Sequence, residues 1–220
     1  MPEATEPNRC RLVLIWPDNG APDDAAARLS AALAGGDVAS LILPQYGLGE
    51  DAFQALCEKL VPVAQQAGVA AVVAGDTRIA GRLKADGVHV DGGPAALADV
   101  IDRFASRMMV GAGGAKSRDD ALNLGECQPD YLFFGRFGFD NKPEPHPRNL
   151  SLASWWAEMV SIPCVVLGGS DTDSIAAVAA TGAEFVALSA AVFGEGRDPA
   201  EEVARANALL DSDAPRFEAA

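Results

Sequence analysis

The sequence is short of the residues that most often announce chemistry. It has two histidines and four cysteines in 220 residues. Cys10, Cys57, Cys127 and Cys164 stand far apart, with no CxxC pair and no Cys/His cluster. That spacing excludes the usual zinc motifs and favours a reduced, cytoplasmic chain over a disulfide framework. Positive charge is also scarce. Seventeen Lys and Arg face 31 Asp and Glu, for a net charge of −14. A nucleic-acid partner is not expected, because binding there begins with neutralising phosphates. Docking on an anionic membrane is disfavoured for the same reason. The excess of acid reads as a solvated surface that keeps the chain soluble. No apolar run reaches the length of a membrane span. The opening stretch MPEATEPNRCR is polar and acidic, unlike a signal peptide. Low-complexity segments and linkers are missing, and nothing in the sequence assigns an oligomeric state.

What is present is alternation. Short apolar, β-branched runs alternate with longer helical patterns eight times. The strand candidates are 11–16, 38–43, 69–74, 87–90, 107–111, 131–135, 164–167 and 185–188. They are short and mostly continuous in apolar residues rather than alternating, as strands buried on both faces of a parallel sheet are. The helix candidates are 23–34, 50–66, 77–84, 94–105, 117–126, 152–160, 171–180 and 199–210. Ser117 and Asp171 supply start signals, and Gly35-Gly36, Gly68 and Gly182 suit the residue after a helix end. Eight complete units, in a chain near the lower end of the usual 200–250 residues or so, predict one (β/α)8 barrel domain over residues 1–220. A doubly wound open sheet is the competing arrangement. The longest loop, 136–149, is rich in Pro and charge. Long loops in compact domains are often functional.

The strongest chemical signal is VVLGGSDTDS, Val165–Ser174, where a buried strand ends in Gly168-Gly169 just before a helix. Two glycines let backbone N–H groups approach an anion with no Cβ in the way. The eighth strand ends at Ser189-Ala190. Loops after strands seven and eight commonly hold phosphate in barrels. Gly168, Gly169, Ser189 and Ala190 are therefore the predicted phosphate cup, and a phosphorylated small molecule the predicted partner. The bland reading of a lone Gly-Gly is a tight turn. Gly111–Gly114 reads equally as an anion cradle or a turn, and GAGGAKS lacks P-loop spacing. Trp155-Trp156 reads as packing. Asp76 and Asp91 are the acidic residues favoured for a site, since both stand at C-terminal strand ends. His89 within its strand and His146 among prolines read as structural and surface groups.

Four stretches, GVHV (87–90), DYLFFG (130–135), IPCVVLGG (162–169) and TGAEFVALSAAVF (181–193), resemble thiamine phosphate synthase and its relative thiazole tautomerase. The resemblance covers the second half of the chain well and the first half, including GGDVASLIL, by pattern only. It implies a TIM barrel and a transferase of thiamine biosynthesis. Such an enzyme joins a pyrimidine methyl pyrophosphate to a thiazole phosphate, releases pyrophosphate and uses Mg²⁺. The thiazole phosphate is expected on Gly168, Gly169, Ser189 and Ala190. The pyrophosphate half departs from the family. Strand two reads SLILPQ (40–45), where the family carries Gln-Leu-Arg-x-Lys. Strand three ends in Gly75-Asp76-Thr77-Arg78 rather than Asn-Asp-Arg. Asp76 and a shifted Asp91 are the implied Mg²⁺ ligands. The Thr-x-Thr-Lys loop becomes Gly138-Phe139-Asp140-Asn141-Lys142, with Lys142 standing for the lysine. Arg136 is the first candidate for the missing clamp, with Arg78 and Arg148 behind it. Tautomerase chemistry implies a His just after strand five, and 111–116 holds none. Three readings stay open here: a synthase, a phosphate-binding regulatory relative without the transfer, and another barrel enzyme such as a tautomerase or sugar-phosphate isomerase.

Overall fold

Eight parallel strands close on themselves. In this computed structural model, which describes residues 7–19 and 22–217, β8 (Phe185–Leu188) pairs with β1 (Arg11–Ile15), with Leu12 opposite Val186. Between them run β2 (Ser40–Pro44), β3 (Ala70–Ala74), β4 (Gly87–Val90), β5 (Met109–Ala112), β6 (Tyr131–Phe134) and β7 (Cys164–Leu167), each paired with the next. Closure rules out the doubly wound open sheet. The helices are α1 (Ala25–Ala34), α2 (Glu50–Gln66), α3 (Thr77–Leu83), α4 (Pro94–Phe104), α5 (Arg118–Gly125), α6 (Pro147–Met159), α7 (Ile175–Ala179), α8 (Ala190–Phe193) and α9 (Pro199–Asp213). The first six residues of the polar N-terminal stretch lie outside the described residues.

Apart from Arg11 and Ser40 at strand starts and His89 in β4, the strands are apolar along their length because each has two dry faces. Val13, Ile15, Ile42, Val72, Tyr131, Phe133, Val165, Leu167 and Ala187 fill the barrel interior. Their neighbours Leu12, Leu14, Leu41, Leu43, Leu132, Phe134 and Val166 face the helices. The period of two is thus hidden in a mostly apolar run.

Several boundaries differ from the sequence reading, each for a local reason. β5 begins at Met109 rather than Arg107, because the amides of Arg107 and Met108 bond back to Phe104 O and close α4. β2 begins at Ser40 rather than Val38, in register with Val13, and runs on to Pro44. α6 begins at Pro147 rather than Leu152. His146 Nδ1 accepts from the Arg148 amide, and Pro147 takes the first helical position, where its missing N–H costs nothing. The seventh helical segment opens as a 3-10 turn over Thr172–Ser174, held by the Asp171 carboxylate. The eighth strand is followed by the four-residue helix α8. The expected Ser117 start is confirmed, its Oγ accepting from the Asp120 amide. Gly68 and Gly182 carry positive φ after their helices, as their positions predict.

Candidate active site at the C-terminal mouth of the barrel

β7 and β8 lie side by side, so the ends of both reach one corner of the mouth. Gly168 N–H donates to Ala187 O at 2.9 Å, and Gly169 N–H donates to Ser174 Oγ at 2.9 Å. The main chain must pass close at both glycines. A Cβ on Gly168 would stand 2.7 Å from Leu188 Cδ2, and one on Gly169 would overlap the Pro143 carbonyl. Ser189 O accepts from Val192 and Phe193 and so opens α8. The structure therefore brings the four cup residues together. It also shows what sits on them. Ala190 N–H donates to Asp140 Oδ2 at 2.6 Å, and Ser170 N–H donates to Lys142 O at 2.7 Å. Asp140 is buried.

Beside this corner is a cavity of about 1240 Å³. Gly168 is on its wall, with Asp91, Lys116, Arg136, Lys142 and Arg148. Arg136 and Lys142 are thus in one cavity, as the sequence suggested. The Arg136 guanidinium lies over the Phe139 ring, 3.9 Å from its centroid. That contact holds a flexible side chain over the loop it comes from. Lys116 was overlooked in the sequence because a lysine after a Gly-rich turn carries no spacing signal.

A second cavity of about 470 Å³ adjoins it, lined by Gln45, Tyr46, His89, Asp91 and Phe137 among others. Asp91 lines both. His89 is held from one side, with Nδ1 and Tyr131 Oη 2.9 Å apart. Its Nε2 is buried without a hydrogen-bond partner and lies 3.8 Å from Asp91 Oδ1. Burial pushes the Tyr131 hydroxyl far above the usual phenol range, so it stays protonated at neutral pH. The glycine run after β5 serves these groups. A Cβ on Gly111 would overlap the Tyr131 ring, and one on Gly113 would crowd Asp91 Oδ1 at 2.5 Å and His89 Nε2 at 2.8 Å. At those two positions the glycines make room for side chains.

Asp76 has a different employment. Its Oδ1 accepts from the Arg78 amide at 2.8 Å, capping α3, and both oxygens take the Arg78 guanidinium. That partner holds its carboxyl below the usual range. Neither cavity is lined by Asp76. Mg²⁺ binds through one or two carboxylates together with substrate phosphates and water. Asp91 fits that role, with a half-exposed side chain facing both cavities. Asp76 does not fit it while Arg78 fills both its oxygens. No group of three or more His, Cys, Asp or Glu suited to a metal occurs among the described residues. Arg78 is likewise spent on Asp76 and Glu50.

Comparison with known proteins joins this geometry to a family. Residues 12–192 match the family profile described as thiamine monophosphate synthase. The chain belongs to that family. It is 32% identical to the thiamine-phosphate synthase of Rhodospirillum centenum over 202 residues, covering 91% of this chain and 98% of the relative. It is 32% identical to that of Hyphomonas neptunium, covering 96% and 99%. Among solved structures, the thiamine phosphate pyrophosphorylase of Pyrococcus furiosus superposes with a TM-score of 0.74 at 22% identity, covering 93% of this chain and 96% of that one. At that identity the likeness is one of fold. On β2, Leu41 and Leu43 face the helices and Ile42 the barrel interior, and the strand holds no cation. No helix among the described residues is long and apolar enough to cross a membrane.

Proposed function

We propose that this chain joins a pyrimidine methyl pyrophosphate to a thiazole phosphate, releasing pyrophosphate. The observation that carries this reading is a single cavity walled by Gly168 of the phosphate corner together with Arg136, Lys142 and Asp91. The corner formed by Gly168–Gly169 and Ser189–Ala190 holds the phosphate, the two glycines giving it room and the Ala190 and Ser170 N–H groups donating to it. Arg136 and Lys142 attract the pyrophosphate and stabilise the charge it gains on leaving, which compensates for the cations absent from β2. Bound magnesium would neutralise part of that charge, and Asp91 is the residue that would hold it.

The bond between the pyrimidine methylene carbon and the pyrophosphate oxygen breaks, and its electron pair leaves with pyrophosphate. The lone pair of the thiazole nitrogen then forms the new carbon–nitrogen bond. Both steps spread or move charge, so fixed cations in a cavity partly closed to water do most of the work. The aromatic walls from Phe137, Tyr46 and His89 suit a flat heterocycle.

A second reading is a relative that binds a phosphorylated ligand without transferring it. The commitment of Asp76 to Arg78 and the absence of a β2 cation favour it. Calorimetry with inorganic pyrophosphate and Mg²⁺ separates the two. The synthase reading expects binding that Arg136→Ala and Lys142→Ala each weaken by about tenfold or more. Binding unaffected by either substitution sinks that reading.

A further inference from the structure

The phosphate corner is filled, and what fills it comes from the chain itself. Three groups of the loop between β6 and α6 lie on the donors and glycines that a phosphate needs. The Asp140 carboxylate takes the Ala190 N–H at 2.6 Å. The Lys142 carbonyl takes the Ser170 N–H at 2.7 Å. The Pro143 carbonyl packs on Gly169 so tightly that no Cβ fits there. Asp140 is 7% exposed, and its partner is fifty positions away in sequence. A buried carboxylate needs charge-assisted partners, and a backbone N–H at a helix start is one. A carboxylate on the Ala190 N–H, a carbonyl oxygen on the Ser170 N–H and a second carbonyl packed on Gly169 occupy the space that the oxygens of a phosphate would take.

We propose that Asp140 is an internal stand-in for the phosphate: a latch on the β6–α6 loop that the phosphate of the ligand must displace. The inference rests on the reading of the β7–β8 corner as the phosphate cup. Displacing the latch moves its neighbour. Lys142 contributes its carbonyl to the closed loop and its side chain to the large cavity, so arrival of the phosphate repositions the lysine assigned to the leaving pyrophosphate. The loop has a pivot for such a movement at Gly138, whose φ of 75° only glycine adopts freely. Asp140 thereby gates access: a ligand bearing a dianionic phosphate competes with the carboxylate for these donors, and one ending in a plain hydroxyl does not use them.

The test is calorimetric titration of thiazole ethyl phosphate, and of the same thiazole alcohol without phosphate, into the parent, Asp140→Ala and Asp140→Asn. Asn keeps an acceptor oxygen of the same shape and removes the charge, so it guards against a loop that merely collapses, and circular dichroism checks the fold. The latch predicts that both variants bind the phosphate ester more tightly than the parent, by about tenfold for Ala. It also predicts that the alcohol binds all three alike. Phosphate-ester binding that is unchanged or weaker in both variants, with the ester still preferred over the alcohol, overturns the latch and leaves the cup. Ester and alcohol bound alike by all three proteins overturns the cup, and the latch with it.

Discussion

His89 Nδ1 and Tyr131 Oη are hydrogen-bonded at 2.9 Å in the wall of the barrel mouth, and Tyr131 is the partner that fixes the imidazole. The ring is further wedged between Phe133 and Phe137, edge to face, at 5.7 and 5.1 Å. Tyr131→Phe removes the one hydrogen bond made among the described residues to an imidazole whose Nε2 already has no hydrogen-bond partner. An unsatisfied buried polar group costs about 1–3 kcal/mol, and urea unfolding is expected to show a loss of that size. Unchanged stability would mean that the tyrosine hydroxyl does not hold His89.

Gly111 answers to the same tyrosine. A methyl at position 111 overlaps the Tyr131 ring, which has nowhere to move. Gly111→Ala is therefore expected to destabilise by about 1–3 kcal/mol, as overpacked cores do. Gly47, beside which nothing lies within 4 Å, supplies the control, and Gly47→Ala is expected to stay within about 0.5 kcal/mol of the parent. Thermal melts of the two variants side by side decide the matter.

The thiols make a prediction about labelling. Burial pushes Cys10 and Cys57 up to about 12, and raises Cys164 further still. At pH 8 the first two are thiolate in only about one molecule in ten thousand. Cys127 is the partly exposed one. One equivalent of a thiol reagent should react quickly with the folded chain at Cys127, and the other three cysteines only after denaturation. Two or more rapid equivalents would contradict the burial of Cys10 before β1, of Cys57 in α2 or of Cys164 in β7.

Asp76 ties the start of α3 to Arg78, and the hydrogen bond from Arg78 holds its folded pKa below the usual value. A depressed carboxylate stabilises the fold above its unfolded pKa and loses that contribution as pH falls through its folded pKa. Asp76→Ala is expected to cost about 1 kcal/mol at pH 7, the usual worth of a cap. The difference from the parent should shrink below about pH 4. A difference that persists unchanged at pH 3 would refute the ionic account of this cap.

The barrel was readable in the sequence because a doubly buried strand is apolar along most of its length, and eight such runs are hard to mistake. Gly87–Val90, Cys164–Leu167, Phe185–Leu188 and Glu50–Gln66 have the same limits in the sequence reading and in the structure. Errors gathered where backbone hydrogen bonding overrides composition, as at Arg107, Met108 and the His146-Pro147 start of α6. That Gly168, Gly169, Ser189 and Ala190 stand at one corner of the mouth was readable, because glycine at a strand end and a following helix are local signals. The engagement of Asp76 by Arg78 is also local, two residues apart, and an Asp before a helix is the ordinary sign of a cap. Asp140 could not be found that way. Its partner Ala190 is fifty residues away, and only closure of the barrel brings β6 and β8 to the same mouth.

Pyrophosphate release from the pyrimidine methyl pyrophosphate and the thiazole phosphate, with Mg²⁺ and then with excess EDTA, tests the proposed reaction most directly. Release that requires both precursors and falls when the metal is removed is the expected result, and with it Arg136 and Lys142 stand in for the β2 cations. Release absent with both precursors and Mg²⁺ present, from a chain that still binds the thiazole phosphate, would contradict the synthase reading and leave a binding protein in its place.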